Sequence, residues 1–215
     1  GPQYDLPAKD DPAPRVPAQG WITGEAATAL FKAAGQDLAK LRAAANKRGF
    51  KPVPLDATAS LDLKSSSVEK SSRNVIGVLP GSETPDEAIV YMAHWDHLGT
   101  HDGEAGDNIY NGAVDNATGV AAILELAEAF RKAKTPPKRS ILFLAVTLEE
   151  SGLLGSKYYV AHPVVPLDKT VAVVNLDALA PIGKARDITV VGKGSSELED
   201  VLKTVLDSQQ RTAVG

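Results

Sequence analysis

The sequence predicts an α/β fold, a sheet sandwiched by helices, and three observations carry that prediction. Short apolar runs of strand length recur at 74–79, 88–93, 140–146, 170–175 and 188–191. Stretches with helical spacing lie between them or follow them, at about 116–132, 153–161 and 196–209. The runs SILFLAV and TVAVVN are almost continuously apolar rather than alternating, as strands covered on both faces are.

The elements follow in chain order. Residues 1–20 carry Pro2, Pro7, Pro12, Pro14 and Pro17 among polar residues and alanines. An extended, irregular segment is expected, because each proline removes a backbone donor and restrains its predecessor. Two short helices are predicted at about 24–34 and 36–48, separated by Gly35 and closed by Gly49. Leu38, Leu41 and Ala45 give the second an apolar stripe. Residues 53–70, serine-rich and weakly alternating, read as an irregular β segment. From Arg73 onward the strand and helix patterns sharpen. The last helix opens Ser196-Glu197-Leu198-Glu199, a capping-box pattern, with Leu198, Val201, Leu202, Val205 and Leu206 on one face.

Composition narrows the function. The 215 residues are 43% hydrophobic and 23% charged, which suits one globular domain with a smaller appendage. A net charge of −4 without a run of basic residues argues against a nucleic-acid partner. Cysteine is absent, which excludes a disulfide scaffold and thiolate-bound zinc. No apolar stretch approaches the ~20 residues that cross a bilayer. The start lacks a signal-peptide pattern and an initiator methionine, which leaves two readings: Gly1-Pro2 is a cloning scar, or the sequence starts partway through a longer protein.

Acids and a histidine gather where chemistry is expected in such a fold, beyond the carboxyl ends of the strands. The run AIVYMA leads into His94-Trp95-Asp96-His97, SILFLAV into Glu149-Glu150, and TVAVVN into Asp177. Asp115, in NGAVDNATG, precedes a helix, where an N-cap role is the plain reading of a lone aspartate. As a set they form a thiolate-free group of imidazole and carboxylate donors, which fits zinc and, less selectively, cobalt or manganese.

The segments AHWDHLG (93–99), NGAVDNATG (111–119), TLEESGLLGS (147–156) and NLD (175–177) resemble the zinc-binding blocks of the co-catalytic zinc aminopeptidases, the M28 metallopeptidases. The resemblance covers about residues 73–192 and keeps the order and approximate spacing of the blocks. It implies a mixed, largely parallel sheet of the zinc-dependent exopeptidase type, truncated. Residues 51–215 would be the N-terminal portion of the catalytic domain. Residues 1–50 more loosely resemble the tail of a protease-associated insert, or a linker with two short helices.

The same resemblance implies residue roles. His94 and Asp177 would bind one zinc, Glu150 the other, and Asp115 would bridge them, with two Zn2+ per complete site. Asp96 would accept the other N–H of His94 and fix its ring, and Glu149 would be the general base. The peptide bond after Asp115 is expected in cis. The substrate would be the N-terminus of a peptide or protein, and the location secreted, periplasmic or cell envelope.

The second zinc of the family also takes a histidine well downstream of NLD. After Asp177 this chain has none: its histidines are His94, His97, His101 and His162. His162 reads as a helix-end residue, and neither His97 nor His101 is expected to replace the ligand. A fragment with weak or no peptidase activity is the expectation. The alternatives are a non-catalytic binding domain that keeps the peptidase fold, and a carboxypeptidase-like or glutaminyl-cyclase-like member of the same clan.

Overall fold

A computed structural model describes residues 3–11, 13, 14, 16, 19–64, 66–101, 103 and 106–215. Pro2, Pro12 and Pro17 of the proline-rich start lie outside the described residues. The described residues divide into two compact units, one within 13–70 and one within 1–12 and 71–215.

The smaller unit holds two helices, α1 (Gly24–Ala33) and α2 (Leu38–Ala45). Each begins at a side-chain cap: Thr23 Oγ1 accepts from Ala26 N at 3.1 Å, and Asp37 Oδ1 from Lys40 N at 3.0 Å. Gly35, at φ +70°, turns the chain between them. The irregular β segment expected at 53–70 contains no strand among its described residues. Its serines and weak alternation provide too little apolar surface for a sheet face.

The larger unit is built on a sheet of β1 (Val75–Leu79), β2 (Thr84–His94), β5 (Arg139–Val146) and β6 (Thr170–Asn175), in the order β1-β5-β2-β6. β2 runs parallel to both β5 and β6, whereas β1 is antiparallel to β5. Between β2 and β5 lie a two-strand ribbon, β3 (Gly99–Thr100) with β4 (Ile109–Tyr110), and α3 (Ala117–Lys132). α4 (Leu154–Ala161) follows β5. After β6 come β7 (Asp187–Thr189), α5 (Leu198–Ser208) and β8 (Thr212–Val214), with β7 and β8 pairing in parallel.

The continuous apolar runs are explained by cover on both sides. On one face, Val90, Leu142, Leu144 and Val146 are buried together with Tyr159 of α4. On the other, Phe130 of α3 meets Tyr91 and Phe143, with ring centroids 5.8 and 6.2 Å away. The fold is therefore the mixed, largely parallel sheet between helices that the sequence predicts.

The predicted capping box at α5 takes another form. Ser196 Oγ accepts from Leu198 N, while Glu199 Oε1 reaches further back to the amides of Gly194 and Ser195 at 2.6 and 3.1 Å. Glycines at 192 and 194, both at positive φ, fold those amides towards the carboxylate.

Candidate metal centre

Register places the ends of the three parallel strands side by side. His94 pairs with Val146 across β2 and β5, and Met92 with Asn175 across β2 and β6. The chain then turns abruptly at each acidic segment. Leu148, just before Glu149, has φ +53°, and Ala178, just after Asp177, has φ +46°. A left-handed backbone costs a residue with a Cβ about 1–2 kcal/mol, so the surrounding contacts must hold both bends.

Those contacts are specific. Thr147 N donates to Asn74 Oδ1 at 3.1 Å, and Asn74 Nδ2 donates to Gly155 O at 2.8 Å, closing the loop that carries Glu149 and Glu150. Asp96 completes it, as its Oδ1 accepts from Glu149 N at 3.0 Å and its Oδ2 from Glu150 N at 3.3 Å. The Asp177 loop hangs on Asn116, which is 2% exposed. Asn116 donates to Leu176 O at 2.9 Å and accepts from Ala178 N at 3.2 Å and Gly119 N at 2.9 Å.

Asn116 is thus the N-cap of α3, in place of Asp115. Asp115 sits one residue earlier, across a cis peptide bond to Asn116, and its carboxylate turns to the site. Gly119 is required beside the cap, because a Cβ there would lie 2.4 Å from both Asn116 Oδ1 and Leu176 O.

At the centre, His94 Nε2 lies 3.0 Å from Asp115 Oδ1, 3.3 Å from Asp177 Oδ1 and 3.9 Å from Glu149 Oε2. Its Nδ1 is 3.0 Å from the Asp96 carbonyl oxygen and 3.7 Å from the Asp96 carboxylate. The imidazole N–H therefore goes to the backbone of Asp96. Its carboxylate, expected to take that hydrogen, is already engaged by two amides.

A second group forms alongside. His97 Nδ1 is 2.7 Å from Glu150 Oε1, and Asp115 belongs to both clusters of potential ligands: His94 with Asp115 and Asp177, and His97 with Asp115 and Glu150. His97, not expected to replace the downstream ligand, lies within reach of Asp115 and Glu150. The spacing of His94 and His97 in HWDH is the one sequence signal for it. Asn116 and Asn74 gave no sequence signal of their own.

A metal suits this arrangement for three reasons. A carbonyl oxygen can only accept, so His94 carries its hydrogen on Nδ1, and a neutral ring aims the Nε2 lone pair at two carboxylate oxygens. Asp115 Oδ1 is buried with no hydrogen-bond partner. Among the described residues, only imidazoles form ion pairs with Asp96, Asp115, Glu149, Glu150 and Asp177. A cation between His94, Asp115 and Asp177 would resolve all three conditions.

Without one, the charges displace two titrations. Burial pulls the pKa of His94 down, yet the backbone hydrogen bond to Asp96 and the carboxylates of Asp177, Glu149 and Asp96 outweigh it and raise the pKa above 6.5. Glu149 is raised above the ordinary carboxylate value by burial first, against the pull of His94 and with the push of Glu150, Asp177 and Asp96.

The fold, with acids and imidazoles gathered beyond its parallel strand ends, has the layout of a metal-binding α/β protein. A model of peptidase family M28 matches residues 74–215, and the chain belongs to that family. It is 28% identical over 162 residues to the aminopeptidase NAALADL1 of Mus musculus, covering 72% of this chain and 20% of that protein. It is 34% identical over 125 residues to a glutamate carboxypeptidase 2 homolog of Caenorhabditis elegans, covering 56% and 15%. BSAP, a zinc aminopeptidase from Bacillus subtilis, shares the fold at a TM-score of 0.53 with 23% identity, over 66% of this chain and 34% of that one. The chain thus spans a fifth or less of these curated relatives and about a third of the solved structure.

Proposed function

We propose that this chain carries the catalytic face of a zinc-dependent aminopeptidase, which hydrolyses the first peptide bond of a peptide or protein. The observation that carries the reading is the convergence of His94, Asp115 and Asp177 on one point, with the Glu149 carboxylate at its edge. His94, Asp115 and Asp177 would hold one zinc, and Glu150 with the shared Asp115 would contribute to a second. Bound zinc supplies Lewis acidity towards a carbonyl oxygen and lowers the pKa of water.

The chain's own residues do the rest. Glu149 is the general base: its raised proton affinity lets it take a proton from the attacking water and return it to the departing amine. Asp96 positions that base by fixing the amides of both glutamates. The site is rich in carboxylates whose only described ion-pair partners are imidazoles, which favours a substrate's free ammonium group over a free carboxylate.

Turnover of aminoacyl-nitroanilides by the zinc-supplied protein, expected to be weak in the 215-residue chain by itself, tests this. Glu149→Gln should slow it about 10²–10⁴-fold while zinc content stays unchanged. Undiminished turnover in that variant would remove the base from the mechanism. The C. elegans relative, 34% identical, is named as a carboxypeptidase homolog, which supports a second reading. Peptides blocked at the amine separate the two, since only a carboxypeptidase would cut them.

A further inference from the structure

We infer that Tyr110 sets which peptides the site accepts, its ring forming the wall against which an apolar side chain beside the cleaved bond packs. The inference rests on the peptidase reading above and adds a substrate class to it. The β3–β4 ribbon, which carries Tyr110, is made by the chain between His94 and Asp115. His94 and Asp115 both belong to the ligand cluster, so the segment holding the ribbon starts and ends at the centre.

Tyr110 reaches back to that centre. Its ring and that of His97 have centroids 6.4 Å apart, and His97 Nδ1 lies 2.7 Å from Glu150 Oε1. His101, just after β3, meets the same tyrosine with centroids 6.5 Å apart. Both imidazoles stand at 71° to the tyrosine ring, and neither lies flat on it. The ring is braced, yet Tyr110 stays 43% exposed. Across the ribbon its partner is Gly99, and paired residues of antiparallel strands share a face. Gly99 brings no side chain to that face, and a Cβ there would meet no atom within 4 Å. Open space therefore lies beside an exposed aromatic ring at the edge of the ligand cluster.

The surroundings select the guest. An apolar side chain laid on the ring removes both surfaces from water. A tyrosine has only two χ angles, and one already braced loses little freedom when it is covered. A cationic guest would find the acids of this corner engaged: Glu150 is paired with His97, and Asp107 Oδ1 accepts from Ile109 N at 3.1 Å. Peptides bearing leucine or phenylalanine are the class that fits.

The test is a titration of the zinc-supplied 215-residue chain with Gly-Gly-Gly, Phe-Gly-Gly and Gly-Phe-Gly, followed through the ring signals of its five tyrosines. At least one phenylalanine peptide should bind about tenfold more tightly than the all-glycine one and shift the Tyr110 signals. Which of the two does so assigns the wall to the first or the second residue of the substrate. Tyr110→Ala should bring the affinities to within about twofold of one another, with zinc content and all-glycine binding unchanged. Tyr110→Phe should keep the preference, because the ring and not the hydroxyl makes the wall. Equal affinities in the wild type, an unshifted Tyr110, or a preference that survives Tyr110→Ala would overturn the inference while sparing the peptidase reading. A chain that takes up no zinc and binds none of the three peptides would overturn both. The wild-type titration decides the matter even if Tyr110→Ala fails to fold.

Discussion

Asn116 shows how a single buried amide organises the centre. It caps α3 through Gly119, anchors the Asp177 loop at Leu176 and Ala178, and follows the aspartate shared by both ligand groups. Replacing it by alanine removes the cap and leaves two buried-side amides and a carbonyl without their partner. Asn116→Ala should destabilise the chain by about 3 kcal/mol and weaken zinc binding together with it. Urea unfolding with a parallel zinc titration reads both, and a loss under about 1 kcal/mol would show that the loop is held elsewhere. Asp96 is a contrasting case. Asp96→Asn keeps the carbonyl that orients His94 but replaces one of two amide-accepting oxygens with a donor. It should lower turnover about 10-fold or more with zinc at the first centre retained. Loss of that zinc instead would show that the carboxylate, not the backbone, governs His94.

At the scale of elements, the junction of β5 and α4 sets the direction of the two glutamates. Gly155, in the first turn of α4, packs against the end of β5 so closely that a Cβ would lie 2.2 Å from Thr147 O and 2.7 Å from Asn74 Oδ1. The first atom is backbone and cannot step aside. Gly155→Ala should cost about 2–3 kcal/mol and shift the Glu149–Glu150 loop, read as a lower unfolding midpoint with weakened zinc binding. A variant as stable as the parent would mean that the helix slides freely on the sheet. The strands were legible in advance because burial on both faces leaves an unmistakable apolar run, as in SILFLAV. The antiparallel direction of β1 and the short β3, β4 and β8 were not, since pairing direction and strands of two or three residues leave no periodic trace. His94, Asp96, Glu149, Glu150 and Asp177 stood out in the sequence by family resemblance and by their place at or beyond strand ends, and Asp115 by the resemblance alone. Which atom of Asp96 meets His94, and which of Asp115 and Asn116 caps α3, depends on backbone turns at Leu148, Ala178 and the 115–116 peptide. The cis bond after Asp115 was expected from the family resemblance, whereas no residue pattern encodes the bends at Leu148 and Ala178. The closing of residues 116 and 176–178 onto each other is a contact between segments sixty residues apart, and spacing along the chain is silent about it.

For the molecule as a whole, the centre ties folding stability to pH and to metal. In the metal-free chain His94 has a raised pKa, so the folded state holds its proton where the unfolded chain, near 6.5, would release it. Its contribution is fully present below pH 6.5 and is lost as pH rises through the raised value. Glu149 acts in the same sense. Because its pKa is raised above 4.5, the unfolded chain ionises first, and stability falls as pH climbs from there through the folded value. This is the reverse of a salt-bridged carboxylate, whose contribution would appear over the same range. The chelated chain should therefore unfold more easily at about pH 8 than at about pH 5.5, with a shallower slope in His94→Gln. Zinc changes the sign of this dependence, because its ligands must give up their protons and binding strengthens as they do. With saturating zinc the thermal midpoint should hold steady or rise across the same interval. A chelated chain whose midpoint climbs between pH 5.5 and 8 would contradict the placement of His94 against the carboxylates of Asp115 and Asp177.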